Sequence, residues 1–157
     1  QFDVGIVEMP VSRPGIDTEE LGESVFNAAM PPGHRLAALE RVSISDLAGE
    51  RMVLLSQHSY VRYQIDDAFS AAGVAPTVVL ETASASIAWA LVAAGAGISI
   101  ISESTADRDI APDVVVRPLD ARITCRYAVV FPQLTTRSSL ADAFAADLRA
   151  EFQDATR

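Results

Sequence analysis

The stretch Thr77–Glu103, TVVLETASASIAWALVAAGAGISIISE, decides the fold class. It opens on a β-branched run, Thr77-Val78-Val79-Leu80, which favours a pleated strand. The chain then turns through the small polar residues Thr82, Ser84 and Ser86. An apolar helix follows over about residues 87–94 and ends at Gly95 and Gly97. A second buried strand, Ile98–Ile101, closes the unit. Strand, helix and strand with a tight glycine exit make a βαβ crossover, the unit from which parallel sheets are built. The polar turn leaves the carboxyl end of a strand and opens a helix. In open α/β sheets, ligands bind at such places. The expectation is a chain that holds a small molecule and performs no chemistry on it.

Outward from this unit the same alternation continues. Residues 2–9 read as a strand ended by Pro10, residues 11–18 as a loop with Pro14 and Gly15, and residues 23–30 as a second strand. Pro31-Pro32-Gly33 stops that strand, and a turn or short helix occupies residues 34–39. Ser43 or Ser45 caps a short helical turn through Leu47. Arg51–Leu55 is a strand, Ser56–Ser59 a polar loop, and residues 60–72 a helix ending at Gly73. Its apolar positions Ile65, Ala68, Phe69 and Ala72 share one face. Strands follow over residues 114–118 and 123–131. Residues 138–152 form an amphipathic helix with Leu140, Phe144, Leu148 and Phe152 four apart.

The totals bound the function. A chain of 157 residues is one domain or two small lobes, and half of it is apolar, enough for a sizeable core. No apolar run reaches the ~18 residues of a membrane span. The net charge is −9 and every basic side chain is arginine. Such a surface repels a phosphate backbone, so this chain alone is not expected to bind DNA. One cysteine, Cys125, excludes an internal disulfide and fits a reducing cytoplasm; a packed thiol is the favoured reading. Two histidines and one cysteine supply no metal site of standard spacing. No cofactor is called for: Gly95-Ala96-Gly97 follows a helix, whereas a dinucleotide fingerprint follows a strand. Ser56 and His58 are close in sequence, but no G-x-S-x-G elbow surrounds the serine, so no enzyme is expected. Residues 1–4 read as a strand already under way and without a secretory leader. A strand needs a sheet to join, which suggests a fragment with material missing before Gln1.

Four local patterns, in order, resemble a known family. Phe2-Asp3-Val4-Gly5-Ile6-Val7 looks like a "DxGI" strand. Met30-Pro31-Pro32-Gly33-His34-Arg35-Leu36-Ala37 looks like an "lPxgHpLA" turn. Val42-Ser43-Ile44-Ser45-Asp46-Leu47 is similar to a "vsl.dL" turn, and Leu91-Val92-Ala93-Ala94-Gly95-Ala96-Gly97-Ile98-Ser99 to an "LVaaGlGIs" helix exit. Together they resemble the effector-binding domain of LysR-type transcriptional regulators. The resemblance implies two Rossmann-like lobes of the type 2 periplasmic binding protein kind, joined by two crossover strands, with a ligand between them. Residues 24–128 would form the second lobe. Residues 1–23 and 129–157 would form part of the first, with the rest of that lobe and the N-terminal winged helix-turn-helix absent. DNA would then be reached only through the missing domain. The family precedent is a homodimer that pairs into tetramers. Half of the dimer contact comes from a first-lobe helix outside this chain, so a weakened or altered oligomer is expected. Phe2, Ile6, Phe144 and Phe152 would lack packing partners. A transport-type solute-binding protein of the same fold is the alternative class.

The resemblance also marks candidate contacts. Glu8 would end its strand at the cleft mouth, with Met9 beside it. A carboxylate there favours a cation, an ammonium or guanidinium group; otherwise Glu8 is solvated or paired with Arg13. The loop Ser56-Gln57-His58-Ser59-Tyr60 with Arg62 joins a strand's carboxyl end to a helix start, where backbone N–H groups and the helix dipole favour an anion. Ser56 and Ser59 add hydroxyls, and Arg62 can grip a carboxylate with two parallel hydrogen bonds. The alternatives are a capping Ser59, a solvent-facing Arg62 and a His58 that bonds within the loop. Ser84 caps its helix or donates to a ligand, Glu81 serves the fold, and Trp89 belongs to the core or a dimer surface. A carboxylate opposite an anion-friendly loop suits a zwitterion, so the expected effector is an amino acid or an opine-like conjugate. The stretch Ile6-Val7-Glu8-Met9-Pro10 is similar to the opine-responsive branch of the family.

Overall fold

The computed structural model describes residues 2–102 and 111–155. Gln1 and Glu103, the ends of two stretches read above, lie outside them. Two compact units are formed, Val25–Thr124 and Gln1–Ser24 with Cys125–Arg157. The element order is β1 (Gly5–Glu8), β2 (Ile16–Met30), β3 (Arg51–Leu55), α1 (Tyr60–Ala71), β4 (Thr77–Thr82), α2 (Ala85–Ala93), β5 (Ser99–Ser102), β6 (Val115–Arg117), β7 (Ile123–Pro132) and α3 (Ser139–Ala155). Two short 3-10 turns, Arg35–Ala38 and Ile44–Leu47, lie between β2 and β3. The chain passes between the units along β2 and β7, which are hydrogen-bonded neighbours.

The unit of residues 25–124 is organised around β3, whose Met52–Leu55 are buried. β4 pairs with it in parallel, Arg51 opposite Thr77 and Leu55 opposite Thr82. On the other side Ile98 makes a parallel bridge to Met52. There Ile98 N–H donates to the Arg51 carbonyl at 2.8 Å, and Val53 N–H to the Ile98 carbonyl at 2.8 Å. The path from β4 through α2 to Ile98 is therefore a crossover, as the opening stretch predicts, but of the expected closing strand Ile98–Ile101 only Ile98 makes the parallel bridge. Beyond Ile98 the chain leaves β3, and β5 runs antiparallel to β2, Ala29 opposite Ser99. β6 pairs with the end of β2, Met30 opposite Val115.

Both crossover helices have explicit starts and stops. α1 buries Val61, Arg62, Ile65 and Phe69, a stripe of helical period. It ends where Val74 N–H reaches the Phe69 carbonyl at 3.1 Å and Gly73 takes φ +68°. α2 is apolar on nearly all sides and buries Ala88, Trp89 and Val92 against Val53, Ile101 and Val114. It ends in the same way at Gly95, with Ala96 N–H donating to the Leu91 carbonyl at 3.0 Å. Ser43, not Ser45, caps the second 3-10 turn; its hydroxyl accepts from Asp46 N–H while the Asp46 carboxylate accepts from Ser43 N–H.

In the other unit, β1 pairs antiparallel with β7, Gly5 opposite Val130 and Glu8 opposite Tyr127. α3 packs on Leu21, Val129 and Phe131, but not with the expected face. The buried stripe is Ala141, Ala145, Leu148 and Phe152, while Leu140 is 78% and Phe144 43% exposed. The reason is geometric. Residues four apart advance about 40° per step around a helix, so 140, 144, 148 and 152 drift off a face that 141, 145, 148 and 152 keep. The two alanines also let the helix approach the sheet closely. Phe2 and Ile6 are exposed as expected, but Phe152 is not short of partners: its ring lies 5.7 Å from that of Tyr127 and fills the space over Gly22.

β2 begins at Ile16, inside the segment read as loop. Asp17, Glu19 and Glu20 among its first five residues are acidic and have low strand propensity. Glu19 is held by Arg137 and Arg149, and Arg137 also stacks on the Phe131 ring at 3.7 Å. Among the described residues no helix is long and apolar enough to cross a membrane, and no cluster of side chains matches a metal site.

Candidate functional site

The carboxyl ends of β3 and β4 are paired positions, so the turns that follow them start side by side. Ser56 N–H donates to the Thr82 carbonyl at 2.9 Å and ties the two turns together. One turn is Ser56–Ser59, closed by Ser59 N–H on the Ser56 carbonyl at 3.0 Å, and it opens α1. The other is Ala83-Ser84, and it opens α2. Two helix N-termini thus share one edge of one unit, and helix N-termini favour negative charge.

The hydroxyls at the two helix starts differ. Ser84 caps α2: its oxygen accepts from Ile87 N–H at 3.5 Å, and its own N–H donates to Thr82 Oγ1 at 3.2 Å. Ser59 holds the N-cap position of α1, but its side chain makes no capping bond. Among the described residues the side chains of Ser56, His58 and Ser59 make no hydrogen bond, which leaves their donors available. Ser56 and Ser59 are half-buried, while His58 and Tyr60 are exposed.

Arg62 departs from the solvent-facing role expected as its alternative. It is 5% exposed, so it does not face solvent. Nor are its Nε and Nη1 open to a carboxylate from outside. Nε donates to Asp66 at 2.9 and 3.1 Å, and Nη1 donates to the Leu55 carbonyl at 2.9 Å and to Glu81 Oε1 at 2.6 Å. Burial alone lowers the guanidinium's pKa; the hydrogen bonds it donates to Glu81 and Asp66, with their charges, outweigh it and the net shift is upward. Sequence reasoning missed this because the acceptors sit on three different elements. The Arg62–Asp66 spacing of four residues was the one visible clue. Glu81 serves the fold through this bond, and Trp89 is core.

In the other unit Glu8 ends β1, exposed, and among the described residues it makes no ion pair, with Arg13 or any other base. Met9 N–H donates to the Arg126 carbonyl at 2.8 Å, and Met9 itself is half-buried. Cys125 is packed; burial first, then the Glu8 charge, raises its pKa. Burial also raises that of Tyr127, with Cys125 and Glu8 adding to it. Neither group is poised to react. Two surface recesses, about 340 Å³ beside Val4, Leu140 and Phe144 and about 250 Å³ beside Pro32, Ala93 and Val114, contain none of the sequence-predicted site residues.

The sequence model of the LysR substrate binding domain matches residues 1–153. The chain belongs to the LysR substrate-binding domain family. Its fold is accordingly α/β of the type 2 periplasmic binding protein kind. The regulatory protein NocR of Agrobacterium tumefaciens is 33% identical over 94% of the chain and 49% of its own length. The octopine catabolism/uptake operon regulatory protein OccR of Rhizobium meliloti is 30% identical over 98% of the chain and 50% of its own length. The chain thus spans about half the length of these curated relatives. A crystal structure of a LysR family regulator from Pseudomonas aeruginosa superimposes with a TM-score of 0.80 over 97% of the chain and 54% of that protein, at 24% identity, and supports the fold.

Proposed function

We propose that this chain is the effector-sensing part of a LysR-type transcriptional regulator and that its effector is a zwitterion, an amino acid or an opine-like conjugate. Residues 24–128 are read as the second lobe and residues 1–23 with 129–157 as part of the first. Ser56, His58, Ser59, Tyr60 and Ser84 are assigned to the effector's carboxylate end, and Glu8 with Met9 to its ammonium or guanidinium end. One observation carries the reading: two helix N-termini open from paired strand ends, and the hydroxyls of Ser56 and Ser59 there make no hydrogen bond among the described residues. Helix N-termini and free donors suit a carboxylate. The carboxylate of Glu8, which makes no ion pair among the described residues, suits a cation. The likeness to a regulator of octopine catabolism and uptake points the same way. The relatives are regulators, which favours this reading over a transport-type solute-binding protein.

In this reading DNA is engaged by a winged helix-turn-helix elsewhere in the full protein, working as a homodimer or homotetramer. Calorimetric titration with octopine, nopaline and arginine against benzoate and muconate tests the ligand class. Binding confined to the opines or arginine supports it; binding confined to the aromatic acid or the diacid refutes it.

A further inference from the structure

We infer that Arg62 is a positioning residue: it sets the Ser56–Ser59 turn against the end of β4 and does not itself touch the effector. The inference rests on the effector reading above, because that turn is the assigned carboxylate site. Arg62 lies in the first turn of α1, immediately after the turn it controls. Its Nη1 holds the carbonyl of Leu55, the residue before the turn, and the carboxylate of Glu81 on the neighbouring strand. Its Nε holds Asp66 one helical turn on. Through Nη1 one guanidinium on α1 therefore ties the entry of the turn to the adjacent strand, while the Nε bond stays within the helix.

Stability alone does not call for an arginine here. A buried ion pair costs desolvation that its attraction repays only in part, and an apolar residue of similar volume often does as well or better. An apolar side chain cannot cross-link a carbonyl on β3 to a carboxylate on β4. Within the turn the side chains of Ser56, His58 and Ser59 form no bonds of their own among the described residues, so the placement of their donors depends on how the ends are held. Fixing donors before the ligand arrives reduces the ordering cost of binding.

The test compares Arg62→Lys, Glu81→Ala and Asp66→Ala. Lysine keeps the charge but lacks the fork that reaches three acceptors. Glu81 is partly exposed, and Asp66 still pairs the guanidinium once Glu81 is gone, so Glu81→Ala is the milder variant should the lysine variant fail to fold. Asp66→Ala cuts the helix arm and leaves the strand arms intact. Amide hydrogen exchange over residues 56–60, octopine binding by calorimetry and Tm are measured for each. Expected for Arg62→Lys and Glu81→Ala are exchange in the turn roughly tenfold faster and binding weaker by about tenfold, while exchange in the α1 interior is unchanged. Asp66→Ala resembles the parent in both. Unchanged exchange in the turn overturns the inference, and so does faster exchange without loss of binding. Should the parent bind no opine or amino acid, the effector reading fails by itself, and the exchange data still decide whether Arg62 holds the turn.

Discussion

Gly97 lies against the backbone of Arg51: a Cβ at position 97 would stand 2.3 Å from the Arg51 carbonyl oxygen and 2.9 Å from its carbonyl carbon. This contact brings Ile98 into hydrogen-bonding range of β3 on both sides of Met52. Gly97→Ala is expected to push the strand away, breaking those two bonds and costing about 2–3 kcal/mol or more. Urea unfolding measures it. A loss below about 0.5 kcal/mol would mean that the crossover does not depend on this approach.

Ser59 and Ser84 occupy equivalent positions but do different things, and single alanine substitutions separate them. Ser84→Ala removes a cap and is expected to lower stability by about 0.5–2 kcal/mol. Ser59→Ala removes a hydroxyl that caps nothing and is expected to leave stability within about 0.5 kcal/mol while weakening effector binding. Thermal unfolding and titration of both variants give the comparison. A large stability loss for Ser59→Ala would return that residue to a capping role.

The Ser43–Asp46 box makes a pH-dependent contribution. Hydrogen bonds from the Ser43 side chain and backbone hold the Asp46 carboxyl below its ordinary value, with Arg35 assisting. A lowered folded pKa stabilises above the unfolded value and loses that stabilisation as pH falls through the folded one. Ser43→Ala is therefore expected to cost about 1 kcal/mol near neutrality. The gap between parent and variant narrows below about pH 4. A gap that stays constant down to pH 2 would contradict the assignment.

Cys125 offers a check on packing in the unit built on β1, β7 and α3. Its thiol is buried, and burial and the Glu8 charge disfavour the thiolate. A thiol reagent at pH 8 is expected to react at the rate of unfolding, and at full speed in denaturant. Fast labelling of the folded protein would show that β7 opens locally.

The crossover was legible in the sequence because its signals are local: β-branched strands, small polar turns and glycine exits. The face of α3 was not, because alanine carries little hydrophobic signal and the phenylalanines four apart drew the eye to the wrong stripe. The start of β2 was hidden for a related reason. Pro14 and Gly15 marked residues 11–18 as loop, and the arginines that hold Glu19 just beyond, Arg137 and Arg149, come more than a hundred residues later. At the candidate site the turn at the end of β3 was readable from its place between strand and helix. The state of Arg62 was not, since it depends on Glu81 arriving from another strand. Spacing along the chain carries no information on that meeting.

The central claim is a zwitterionic effector with its cationic end on Glu8. Its most direct test is a thermal-shift screen of amino acids, opines and aromatic acids on the parent and on Glu8→Gln. At a hundredfold excess over Kd, a ligand that binds only the folded state stabilises by about 2.7 kcal/mol. The expected result is stabilisation by octopine or arginine that weakens in Glu8→Gln. Stabilisation by an aromatic acid, equal in both proteins, would contradict it.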